Sequence, residues 1–251
     1  IVGTEGLVVG RDGTVYFSQS EAVGRRLPDG TLELDWLDLP GANTVWGVML
    51  SPDNARLYVA SPSTAEVSVV DVATATVEFA LTSSLAGPNG LTVDDDGTLF
   101  VADFFNDIVF GYDVGADEAS TTQFRVTREV PTPNGVLVDG DDVLVLGYND
   151  GELHRIVGGR TATGTDSLVV DGLGNPDGIV KAADGSFFVT DNGGGHVLHV
   201  VGTTVENVAD DIDAAANLEF GTAPLRCDRL LVTSSNALQV LDVGPLGISG
   251  G

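Results

Sequence analysis

Four oxygen-bearing side chains, Glu5, Asn89, Asn134 and Asp177, each stand directly before a glycine and a short apolar run. Two carboxylates and two amide carbonyls make a hard donor set. Such a set suits Ca2+, with Mg2+, Mn2+ or Zn2+ as alternatives. Two formal negative charges balance a divalent cation. Without one, the carboxylates repel each other in a partly desolvated site, and one is pushed toward protonation. Taken singly, Asn-Gly and Asp-Gly are common turn dipeptides, and internal duplication accounts for their recurrence. Neither explains Glu5 at the matching place.

The phase of these residues comes from a repeat. A polar residue, usually followed by Gly, precedes an apolar strand, a turn containing Asp and a second apolar strand. Copies begin at Glu5, Trp46, Asn89, Asn134, Asp177 and Asn217, 40 to 45 residues apart. That period marks a propeller blade, in which equivalent positions converge on one axis. In the third copy the pattern predicts strands over Gly90–Val93, Thr98–Ala102, Ile108–Val114 and Thr121–Val126, with Asp94-Asp95-Asp96-Gly97 as a turn. The predicted fold is all-β: a six-bladed β-propeller with four-stranded antiparallel blades, one domain over residues 1–251. The last copy supplies three clear strands; its tail, Gly244 to Gly251, is too Gly-rich for a fourth, and Ile1-Val2 is too short to complete the blade. Asn207 to Asn217 forms at most a short turn.

Composition narrows the partners. With 37 Asp and Glu against 11 Lys and Arg, the net charge is −26. Such a surface repels nucleic acid and anionic membranes, and no apolar run reaches membrane-spanning length. The bland account of this charge is solubility. The single Cys227 rules out an internal disulfide framework and reads as a structural thiol, since no His stands near it in sequence. The chain opens on Ile1 rather than Met, so export after removal of a signal peptide stands beside a cytoplasmic location as an expectation.

Other catalytic chemistries find little support. His154 falls in the third strand of the fourth copy, and His196 and His199 in that of the fifth, away from the axis. His196 and His199, three apart, face opposite sides of a strand. No Gly-x-Ser-x-Gly elbow is present, and no helix follows Gly193-Gly194-Gly195 to form a phosphate cradle. Loops at the channel mouth nominate Trp46, Phe104, Phe105, Tyr148, Asn149 and Asn192 as pocket walls for a small-molecule substrate.

The chain resembles the senescence marker protein/gluconolactonase/luciferin-regenerating enzyme group of six-bladed propellers. The matching pieces are Glu5-Gly6, Pro88-Asn89-Gly90-Leu91, Pro133-Asn134-Gly135-Val136, Pro176-Asp177-Gly178-Ile179, and the closing Asn217-Leu218-Glu219-Phe220-Gly221 with Leu230-Leu231-Val232-Thr233. The resemblance implies that Glu5, Asn134 and Asp177 bind a catalytic divalent metal. It implies that Asn89 contacts the metal, directly or through water, or orients substrate, and that Asp177 is the candidate general base. The family commonly hydrolyses lactones, and some relatives act on organophosphate esters. Two departures bear on substrate. Members acting on sugar lactones often carry Arg shortly before the Asn of the third blade, where this chain has Leu85-Ala86-Gly87-Pro88. The second blade offers Trp46 at the metal-facing place. Both favour an apolar lactone or ester over a polyhydroxylated sugar. The competing readings are a non-catalytic binding or scaffold module, and a propeller enzyme with non-hydrolytic chemistry. Within the latter, retention of Glu5, Asn134 and Asp177 argues against a metal-free, strictosidine-synthase-like condensation enzyme.

Overall fold

A computed structural model describes residues 4–222, 228–235 and 237–243. Cys227 and the two terminal segments invoked for blade closure lie outside these residues. The chain forms six antiparallel sheets in sequence order, each a simple up-and-down meander. Five sheets have four strands, and the sixth has three among the described residues. The third blade matches its expected strands closely, at Pro88–Val93, Thr98–Asp103, Ile108–Asp113 and Thr122–Thr127. The stretch expected to hold a turn from Asn207 instead begins inside the outer strand Thr204–Ala209. The only described helix is a single 3-10 turn at Glu118–Ser120, and no described helix is long and apolar enough to cross a membrane.

Each blade buries both faces against its neighbours, so the apolar core is divided into six clusters. Leu57, Val59 and Val70 of blade 2 pack on Tyr16, Val23 and Leu37 of blade 1. Phe100, Ala102 and Val109 of blade 3 pack on Val136, Val143 and Val145 of blade 4. The seam between blades 6 and 1 holds, among the described residues, Leu7, Val15, Phe17 and Leu231. Hydrogen bonds reinforce that seam. Thr222 Oγ1 donates to the Gly10 carbonyl at 2.9 Å, and Thr233 Oγ1 donates to the Glu5 carbonyl.

The innermost strands begin at the repeated motif, and there the structure departs from a simple turn reading. In blades 3, 4 and 5 the Pro-Asn/Asp-Gly segment lies inside the strand, at a register break. Pairing is lost between Pro88 and Leu91, between Pro133 and Val136, and between Pro176 and Ile179. A β-bulge of this kind redirects a side chain that strict alternation would send elsewhere. The glycines are required by close approach. A Cβ on Gly47 would lie 2.1 Å from the Asn89 carbonyl oxygen, one on Gly90 would lie 2.1 Å from that of Asn134, and one on Gly135 would lie 2.4 Å from that of Asp177. Each motif glycine thus packs against the backbone of the next motif around the axis. Gly90→Ala should therefore force adjacent inner strands apart and lower stability by about 1–3 kcal/mol; chemical denaturation compares it with the parent protein.

Candidate active site at the channel mouth

The bulges and close-packed glycines bring Glu5, Asn89, Asn134 and Asp177 to one end of the central channel. All four line a cavity of about 590 Å³. Asn89, Asn134 and Asp177 are buried, at 5%, 3% and 7% exposure, and Glu5 is half-buried. Hydroxyls at the ends of second strands hold the motif backbones. Ser18 Oγ accepts from the Glu5 and Gly6 amides at 3.1 and 2.8 Å. Thr190 Oγ1 accepts from Gly178 N at 2.7 Å and donates to the Ala216 carbonyl of the next blade.

The electrostatics of this cluster are those of an uncompensated negative pair. Burial, and then the charge of Asp177, push the Glu5 carboxyl well above its ordinary range, while a hydrogen bond from Asn89 acts in the opposite direction. Burial raises Asp177 to about 7, again opposed by a hydrogen bond, from Asn134. Among the described residues no Lys, Arg or His lines the cavity.

One wall is aromatic. The Trp46 ring meets Phe104 and Phe105 edge-on at 6.0 and 5.9 Å, and Phe104 meets Tyr148 at 5.6 Å. Phe105 packs over Gly87, where a Cβ would fall 2.3 Å from its ring, and remains 60% exposed. Tyr148 Oη donates to Asn192 Oδ1 at 3.1 Å, joining blades 4 and 5 across the rim. Asn149 needs correction: its side chain is exposed and outside the cavity. It follows Tyr148 in a hairpin turn and is turned outward, with its backbone N–H donating to Thr132 Oγ1 at 3.1 Å.

Asn217, the sixth-copy residue, lines the deeper channel rather than the mouth. Its Oδ1 accepts from Leu218 N at 2.8 Å, which occupies the amide locally. Glu219 also faces the channel, and burial raises its carboxyl to about 7. Its spacing of two from Asn217 was the available signal for a shared strand face. Ser20, Asn43 and Ser235 add polar groups to the mouth. They sit in loops outside the repeated motif, and no spacing rule marks them.

The raised carboxyls set a sign for metal-free stability. Asp177 and Glu219 hold protons in the folded protein at pH values where the unfolded chain has lost them. Their contribution to stability is complete below the ordinary carboxylate values of about 4 and is lost as pH rises through about 7. In EDTA, the melting temperature should fall between about pH 4 and pH 7, and Asp177→Asn should flatten that fall. Differential scanning calorimetry of the two proteins checks both slopes.

No protein-family model matches the chain, and no curated protein matches it significantly. Solved structures share its fold. A gluconolactonase from Xanthomonas campestris superposes with a TM-score of 0.77 at 18% identity, over 96% of this chain and 86% of that one. The calcium-binding protein regucalcin from Agrobacterium tumefaciens superposes at 0.73 with 21% identity, over 94% and 83%. Virginiamycin B lyase from Staphylococcus aureus superposes at 0.67 with 14% identity, over 96% and 84%.

Proposed function

We propose that this protein is a divalent-metal-dependent hydrolase of small, rather apolar lactones or related esters. The observation that carries the reading is the desolvated pair of carboxyls Glu5 and Asp177, flanked by two amides in a cavity that no basic side chain lines among the described residues. A divalent cation relieves both the repulsion and the burial cost, so the donor set fits one. Glu5, Asn134 and Asp177 would hold it, with Asn89 beside them. Four oxygen donors of this kind favour Ca2+. The similarity to a calcium-binding regucalcin and to a gluconolactonase is in keeping with this reading.

When bound, the cation supplies Lewis-acid polarisation of the ester carbonyl. The chain's own residues do the rest. Asp177 takes a proton from the attacking water as its oxygen bonds to the carbonyl carbon. As the ring C–O bond breaks, Asp177 returns that proton to the departing oxygen, leaving the hydroxy acid. Burial raises the Asp177 carboxyl in the metal-free protein; as a ligand of the cation it would be a weaker base than in that state. Desolvation and the charges of Asp177 and Glu5 raise the Tyr148 phenol, which therefore stays a hydrogen-bond donor at neutral pH. The Trp46, Phe104 and Phe105 edges offer apolar contact for the substrate's non-reacting part.

Non-hydrolytic chemistry, the alternative in keeping with the similarity to a lyase, is less well supported by the residues of this cavity. A His-to-Ala form of that lyase is catalytically inactive. Here His154, His196 and His199 all lie in third strands, outside the cavity.

The test is metal analysis of EDTA-treated protein joined to a hydrolysis screen of lactones and aryl esters. Expected are one tightly held divalent cation at the axis and turnover lost on stripping and restored by Ca2+. A melting temperature insensitive to Ca2+ would overturn the metal reading; bound metal without turnover would overturn the hydrolase reading. Asp177→Asn should reduce kcat by about 100-fold or more and weaken metal binding. Trp46→Ala should raise KM for alkyl-substituted lactones roughly tenfold while leaving an unsubstituted lactone little affected, as steady-state kinetics on the two substrates would show.

A further inference from the structure

His154 has no part in the axial site, yet its surroundings are specific. Its side chain is only 7% exposed. Nδ1 lies 3.0 and 3.1 Å from the two carboxylate oxygens of Asp166 on the next strand. That contact occupies the Nδ1 edge of the ring and leaves Nε2 on the opposite edge. Nε2 is buried and has no aligned hydrogen-bond partner. It faces two further carboxylates, with Glu152 Oε2 at 3.2 Å and Asp150 Oδ2 at 3.6 Å. Two carboxylates converging on one ring nitrogen call for a positive charge there, carried by a ring proton or by a bound cation.

Local structure explains how three ligand atoms converge. Glu152 and His154 alternate on one face of the strand Glu152–Val157. Asp150 belongs to the preceding turn, where its Oδ1 accepts from Glu152 N at 3.2 Å, leaving Oδ2 toward the imidazole. Asp166 pairs with Ile156 in the regular part of the ladder, two positions along from the His154–Leu168 pair and on the His154 side of the strand. Opposite faces of this blade are distinct: Leu153 packs toward blade 5, while Val145 and Ile156, on the His154 side, pack toward blade 3.

The spacing is that of a coordination edge. Ligands about 2.1 Å from a tetrahedral ion stand about 3.4 Å apart, between the observed 3.2 and 3.6 Å. All three ligand atoms lie within 4.8 Å of one another. The Asp166 contact is the outer-shell carboxylate that metal-binding histidines characteristically have.

We propose that Asp150, Glu152 and His154 form a second divalent-metal site, beside the blade 3–blade 4 interface and separate from the axis. One imidazole and two carboxylates select a first-row ion such as Zn2+ or Co2+ over Ca2+. The exposed Asp150 side leaves room for water as a fourth ligand. The two sites thus sort cations, with all-oxygen donors at the axis and mixed nitrogen and oxygen donors here. This inference does not depend on the axial reading.

The test uses the full chain carrying Glu5→Gln and Asp177→Asn, which disables the axial donors. After EDTA treatment it is titrated with Co2+ and then Zn2+. Expected are one equivalent of Co2+ with the visible absorption of a four-coordinate ion, displacement by Zn2+, and none by Ca2+. Adding His154→Asn should abolish that equivalent, and Asp166→Asn should weaken it about 10- to 100-fold. A parallel measurement needs no axial variant: in the parent protein with excess Ca2+, Zn2+ should shift the ring NMR signals of His154 while leaving those of His199 in place. The proposal fails if the axial variant holds no Co2+, or if His154→Asn leaves binding unchanged. It fails equally if the His154 signals titrate with pH but ignore Zn2+, which is the behaviour of a protonated histidine paired with three carboxylates.

Discussion

The contact on which this structure depends is the one between each motif glycine and a neighbouring carbonyl. Gly6 faces Trp46 O, Gly47 faces Asn89 O, Gly90 faces Asn134 O, and Gly135 faces Asp177 O, all at distances no Cβ tolerates. The inner strands can therefore approach more closely than side chains would permit. A narrow ring follows, and with it a small channel mouth where neighbouring blades present their motif residues together. The same feature sets the electrostatics. Carboxylates from blades 1 and 5 share one desolvated space because the backbones behind them are pressed together.

Close approach alone does not aim the side chains. The bulges do so in blades 3, 4 and 5, where Pro, which has no N–H to donate, marks the strand entry. Blades 1, 2 and 6 lack this Pro, and their inner strands are only three residues long: Leu7–Val9, Val48–Leu50 and Leu218–Phe220. Glu5 is instead held through its backbone by Ser18. Thr233 plays a double part in the sixth blade: its Oγ1 accepts from Asn217 N at 2.8 Å and donates to the Glu5 carbonyl. One hydroxyl thereby fixes the last motif and ties the ring to the first.

Much of this was legible in the residues because a propeller repeats its hydrophobic pattern at a fixed period. Blade number, strand order and the four mouth residues follow from phase alone. What was not legible depends on contacts across blades or on register. Asn89-Gly90 reads locally as a turn, yet it is a bulge inside a strand, and its glycine answers to a carbonyl of blade 4. The Ser18, Thr190 and Thr233 clasps connect residues 12 to 16 apart, with no distinctive local composition. Asn149 was misassigned because its neighbour Tyr148 does reach the cavity, and a turn sends adjacent side chains in different directions. The alternation of Asp150, Glu152 and His154 is legible, but Asp166 reaches His154 only through the pairing of two strands.

The same reasoning gives physical content to the blade that breaks the motif. A polar ligand at the second position would have completed a more nearly symmetric ring of donors. Trp46 places an indole there instead, and the ring turns outward to meet Phe104 and Phe105. Gly87 makes room for Phe105 to lie over the third blade, at a place where any larger residue would collide with it. The mouth thereby combines a polar set, Glu5, Asn89, Asn134 and Asp177, with an aromatic wall of Trp46, Phe104, Phe105 and Tyr148 from blades 2 to 4. A substrate that fits both needs a polar reacting group at one end and hydrocarbon at the other. A ring bearing hydroxyls on every carbon would leave several of them against aromatic edges without partners, at a cost of about 1–3 kcal/mol each. An alkyl-substituted lactone meets no such penalty, which is in keeping with the apolar substrate proposed above.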